Sequence, residues 1–172
     1  RGKVRFDLGD FQGALVDYSR ALEINPHQKE AYNNRGFARI SLDNRQGAIS
    51  DYSRAIAIDP CFAIAHMNLG IARHRSGHLD QAVNDLNRAI ACDSKLVEAY
   101  SARGLVWEEK GELDRAIATW RIQLQDEKGA YKGQQERRIE WIFELERELD
   151  DLAAATGDPA RLRAVLGRDI PL

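Results

Sequence analysis

The chain has 172 residues, 44% of them hydrophobic and 30% charged, with 25 Lys and Arg against 27 Asp and Glu for a net charge of −2. That length can bury a continuous core, and the near-neutral balance excludes the basic footprint of a nucleic-acid or anionic-membrane binder. No apolar run approaches the ~20 residues that a membrane span needs, so direct membrane insertion is not expected of this stretch of chain.

Apolar periodicity and turn residues predict helices near 1–8, 12–24, 29–41, 45–58, 63–75, 79–92, 97–109 and 113–125. Turns at Leu8-Gly9-Asp10, Leu42-Asp43-Asn44, Ser76-Gly77-His78 and Lys110-Gly111-Glu112 join them as pairs. Pro26 and Pro60 follow Asn25 and Asp59. A proline pushes the residue before it out of the α region, so each stops a second helix. Residues 134–155 read as one longer helix, and Asp158-Pro159 as the cap and first turn of a short last helix ending near Gly167.

The pairs repeat. Gly2, Gly36, Gly70 and Gly104 stand 34 residues apart, as do Ala14, Ala48, Ala82 and Ala116. The same register carries Tyr18, Tyr52, Leu86 and Trp120, then Ala21, Ala55 and Ala89, and the prolines, with Ser94 and Lys128 in later proline positions. The small residues mark close helix crossings, where a larger side chain would overpack the contact at about 1–3 kcal/mol. The bulky column fills the space beside them. Gln123 stands in the column of Ala21, Ala55 and Ala89, which places the end of the array there.

These columns, with stretches such as Tyr32-Asn33-Asn34-Arg35-Gly36 and Asp51-Tyr52-Ser53-Arg54-Ala55-Ile56, resemble the tetratricopeptide repeat over residues 1 to 130. The resemblance implies an all-α fold, an α-solenoid of antiparallel helix pairs wound as a right-handed superhelix, with C-terminal capping helices. The expected units are a partial first repeat at 1–28, repeats at 29–62 and 63–96, a degenerate last repeat at 97–130 and a helical cap at 131–172. Arg1 falls inside what should be a first helix, which points to a fragment preceded by further repeats, an anchor or a targeting segment.

The resemblance also implies a scaffold whose concave face, lined by the first helix of each pair, binds a peptide segment or partner protein, as an assembly factor for a larger complex. Carried across residue by residue, that face offers Asn33, Asn34, Phe37, Ile40 and Ser41. It continues with Met67, Asn68, Ile71, His74 and Arg75, then with Ser101, Ala102, Leu105, Glu108 and Glu109. Asn34 and Asn68 share a column, resembling the asparagine ladder of peptide-binding relatives, and Phe37, Ile71 and Leu105 share an apolar one. Members that grip a terminal carboxylate need cations where this chain has Ile64 and Asn68, or Glu98 and Ala102. A terminal dicarboxylate ligand is therefore not expected.

On the long C-terminal helix, Trp141, Ile142, Leu145, Leu149 and Leu152 form one apolar stripe, expected to cap the last repeat. Ile139 and Phe143 form a second surface, which suggests an alternative function as an oligomerisation or regulatory module through self-association. A further alternative is the targeting arm of an enzyme whose catalytic domain lies outside this stretch. The outer side carries Glu140, Glu144, Glu146, Glu148, Asp150 and Asp151, a solvated acidic face or a contact for a basic partner.

No catalytic activity, cofactor or metal is expected. His74 and His78 are separated by a helix-breaking Gly77, no phosphate-cradling loop or nucleophile motif occurs, and adjacent carboxylates diverge on a helix. Cys92 shares a column with Ile24 and Ile58, so it is expected as a buried apolar residue rather than a disulfide partner of Cys61. A reducing, cytoplasmic setting is then the default.

Overall fold

The computed structural model describes residues 1–126 and, beyond them, Glu136, Arg137, Ile139, Glu140, Phe143, Glu144 and Arg147. The described residues are helical throughout: α1 (Gly2–Asp7), α2 (Phe11–Ile24), α3 (Lys29–Ser41), α4 (Arg45–Ile58), α5 (Ala63–His74), α6 (Leu79–Cys92), α7 (Val97–Glu109) and α8 (Leu113–Asp126). This is the α-solenoid class that the repeat implies. The chain divides into a compact unit of residues 1–106 and a second beginning at Trp107. In the first, α1 packs on α2, α3 on α4 and α5 on α6, while α2 on α3 and α4 on α5 join successive hairpins.

The same local devices recur at each repeat. At the hairpin turns Gly9, Gly77 and Gly111 have φ of 78°, 76° and 75°, and Asp43 occupies the equivalent left-handed position at 56°. Asp10 and Asn44 then cap the second helices, accepting from Gly13 N at 2.8 Å and Gly47 N at 2.9 Å. At the far end Asn25, Asp59 and Asp93 each turn the chain by accepting from the backbone N–H two residues on.

The columns spaced 34 residues apart form the core. Ala14, Ala48, Ala82 and Ala116 are fully buried, as are Leu86 and Trp120, and Tyr52 is 1% exposed. Gly36 lies against the Tyr52 ring and Gly70 against Leu86, so closely that a Cβ there would come within 2.6 Å and 2.8 Å. Small residues thus let the two helices of a hairpin touch.

A second set of columns braces the hairpins and was not read from the sequence. Arg39 and Arg73 reach across to Asp51 and Asp85 at 2.9 Å and 2.6 Å, and Arg5 to Asp17 at 3.4 Å. Arg35 adds a two-pronged grip on Asp51 at 2.9 Å and 2.7 Å, and Asp51 is 2% exposed. The arginines stand 34 residues apart and so do the carboxylates. The signal was present, but charged residues in a periodic helix read as solvated faces.

Cys61 and Cys92 form a disulfide, with their Cα atoms 5.3 Å apart. This corrects the expectation of unpaired cysteines. An antiparallel hairpin brings the turn before α5 alongside the end of α6, where Cys92 is the last helical residue, and Cys92 is only half-buried.

In the second unit, Ala116, Ile117, Trp120 and Ile139 form a buried cluster with Trp107 and Leu113 against it. Ile139, expected on a second apolar surface, is buried at 9% exposure in the cluster with Ala116, Ile117 and Trp120. The half-exposed Phe143 ring lies 5.3 Å from the Arg121 guanidinium. The capping stripe of Trp141, Ile142, Leu145, Leu149 and Leu152 and the short helix after Asp158 lie outside the described residues.

Candidate functional site

Side chains at i, i+3, i+4 and i+7 share one helix face. On α5 that spacing aligns Ile64, Met67, Asn68 and Ile71; on α3 it aligns Glu30, Asn33, Asn34 and Phe37; on α7 it aligns Glu98, Ser101, Ala102 and Leu105. Helices α3 and α5 touch directly, which makes their stripes neighbours.

The asparagines are connected. Asn68 Nδ2 donates to Asn33 Oδ1 at 2.9 Å, and Asn33 Nδ2 donates weakly to Asn34 Oδ1 at 3.5 Å. The cross-helix bond thus runs from Asn68 to the buried Asn33, not along the shared column of Asn34 and Asn68. It fixes two first helices to each other and engages neither the Asn34 amide N–H groups nor Asn68 Oδ1.

On the three stripes several apolar residues stay open to solvent. Phe37 is 48% exposed, Ile64 45% and Leu105 37%, while Met67 and Ile71 are half-buried. Phe6 of α1 stands 5.1 Å from the Phe37 ring and 5.0 Å from Phe11, extending the apolar surface toward α1. Phe6 shares the column of Ile40 and His74, so the repeat register held the clue to it. Exposed, grouped apolar side chains are the usual mark of a contact surface.

The other expected residues scatter. Ile40 is half-buried and packs on the buried cluster of Ala48, Tyr52, Leu69 and Ala72. Ser101 and His74 are half-buried, and Arg75 and Ser41 are exposed. Glu108 and Glu109 belong to the second compact unit. The three stripes contain carboxylates at Glu30 and Glu98 but no Lys or Arg.

Ionisable groups with shifted behaviour lie beside the stripes. Lys29 Nζ reaches Asp59 at 2.5 Å, which pushes the lysine up from its ordinary value and the carboxyl down. Burial pushes the Asp85 carboxyl up despite Arg73, and burial also pushes the Arg103 guanidinium down. Among the described residues there is no group of three or more His, Cys, Asp or Glu that would hold a metal ion. No helix among them is long and apolar enough to cross a membrane.

Comparison with known proteins agrees with this architecture. Family models described as "TPR repeat" and "Tetratricopeptide repeat" match residues 2–43 and 44–77, and residues 67–121. The chain belongs to the tetratricopeptide repeat family. Among solved structures, a crystal structure of MamA protein is 29% identical over 73% of this chain and 68% of that one, with a TM-score of 0.68. Another MamA crystal structure is 23% identical but covers 98% and 97% of the two chains, with a TM-score of 0.77. The second such domain of human RPAP3, in complex with the HSP70 peptide SGPTIEEVD, is 23% identical over 62% of this chain and 88% of that one, at 0.59. A search of curated proteins finds no match.

Proposed function

We propose that this chain is a scaffold that holds an extended segment of another protein along the stripes of α3, α5 and α7, and thereby helps to organise a larger complex. One observation carries the reading: Phe37 and Ile64 are left exposed on the α3 and α5 faces that the Asn68–Asn33 hydrogen bond joins, and Leu105 is exposed on the equivalent face of α7. The amides would pair with the segment's backbone, and the apolar residues would receive its side chains. The likeness to a peptide-bound domain supports a peptide ligand for this family's fold. The stripes offer no cation for a terminal carboxylate, which favours an internal segment.

The test compares capture of proteins from the native extract by the wild type and by a Phe37→Ser, Ile64→Ser, Leu105→Ser variant. These side chains are exposed, so circular dichroism should show equal helicity. The expected result is a protein retained by the wild type, lost by the variant, and cross-linked to α3 or α5 through an internal stretch of its chain. Retention of the same proteins by both would refute the groove, and cross-links only to a ligand's last residues would refute the internal-segment reading.

A further inference from the structure

The disulfide closes one hairpin and no other among the described residues. The positions equivalent to Cys61 and Cys92 are His27 and Ile58 one repeat earlier, and Lys95 and Asp126 one repeat later. Neither pair can form such a link, so the covalent tie singles out α5 and α6. Cys61 is exposed on the turn before α5, whereas Cys92 is half-buried at the end of α6.

The hairpin does not depend on the tie to keep its path. Asp59 holds the turn by accepting from Lys29 Nζ at 2.5 Å and from Cys61 N at 3.0 Å. Lys29 also lies 4.9 Å over the Phe62 ring, and His66 Nε2 donates to the Pro60 carbonyl at 3.0 Å. Between the helices, Gly70 seats against Leu86, and Arg73 pairs with Asp85 at 2.6 Å. These contacts would hold the hairpin together with the disulfide reduced.

We propose that Cys61–Cys92 is a thiol–disulfide exchange site for a dithiol reductant, and that its redox state sets the rigidity of α5. The reductant's thiolate bonds to the exposed Cys61 Sγ as the bond to Cys92 breaks, and the electron pair leaves on Cys92 Sγ, which takes a proton from water. The reductant's second thiol, deprotonated, then attacks its own sulfur in the mixed disulfide and releases Cys61. Two electrons pass from the dithiol, now a disulfide, to the cysteine pair. Because α5 carries Ile64, Met67, Asn68 and Ile71, the exchange would tune the proposed groove; this last consequence alone rests on the groove reading.

The experiment follows amide hydrogen exchange along the intact chain, oxidised and after dithiothreitol, beside a Cys61→Ser, Cys92→Ser variant. Loss of a cross-link over a loop of this length corresponds to exchange faster by roughly 100- to 1,000-fold where opening of the hairpin governs it. The expected result is that acceleration in residues 63–92, little change in residues 11–41, recovery on reoxidation, and no response of the variant to dithiothreitol. Glutathione disulfide added to the reduced protein should be trapped mainly on Cys61. Equal exchange in both redox states, or trapping mainly on Cys92, would overturn the proposal. No ligand is needed, so failure here and failure of the groove are separate results.

Discussion

Gly36→Ala sets two known effects against each other at one atom. Replacing a helical glycine by alanine gains about 1 kcal/mol from backbone propensity. Here the new Cβ would stand 2.6 Å from Tyr52 Cε1 and 3.0 Å from two further ring carbons. The ring is 1% exposed and its hydroxyl end is enclosed, so burial pushes the phenol pKa well up and the ring has little room to swing away. Overpacking of this kind costs about 1–3 kcal/mol. The clash should outweigh the gain, with a net loss of up to about 2 kcal/mol in urea unfolding. The pair Gly36→Ala, Tyr52→Leu should recover part of it, because leucine lacks the ring carbons that the new Cβ would meet. If Gly36→Ala stabilises the protein, the close crossing is not what keeps glycine there.

Three further perturbations test the bracing and the turns. Asp51→Ala should cost about 1.5–3 kcal/mol in the same assay, because the partly buried Arg35 and Arg39 would both lose their charged hydrogen-bond acceptor. Asp43→Gly should raise stability by about 0.5–1 kcal/mol in thermal melts, since a non-glycine residue there holds a φ of 56° and its Arg45 contact is exposed. The carboxyl titrations should move in opposite senses. Asp85 is pushed up chiefly by burial, so its stabilising share is full below the ordinary carboxylate value of 3.8 and is lost as pH rises through its folded value. Asp59 is pulled down by the Lys29 hydrogen bond, so its share is present above 3.8 and lost as pH falls through its folded value. NMR titration of the carboxyl carbons checks both directions, and Asp85→Asn should gain stability relative to wild type as pH rises through the folded value of Asp85.

Periodicity made the helices legible because each boundary has its own local chemistry. Gly9, Gly77 and Gly111 at the hairpin turns, and Pro26 and Pro60 after the second helices, act within a few residues of where they stand. Interactions between helices were legible only where they were apolar. The Arg39–Asp51 and Arg73–Asp85 pairs repeat with the same spacing as the glycines, yet charge alone does not tell a solvated face from a buried brace. Cys92 was misjudged for a related reason. Its column describes the helix face it occupies, whereas its bond is decided by the end of the hairpin at which it lies.

The asparagines show the limit of a column most clearly. Residues 34 apart occupy equivalent places in successive repeats, but equivalent places need not touch. The observed bond joins Asn33 and Asn68, 35 residues apart, so α5 presents its asparagine to the preceding position of α3. That offset changes what the groove offers. A ladder of free amides would bind any extended backbone, whereas here the Asn33 carbonyl oxygen already serves the protein and holds α3 to α5. If the proposed groove holds a segment, discrimination among ligands would then fall chiefly to Phe37, Ile64 and Leu105, which are exposed in the free protein.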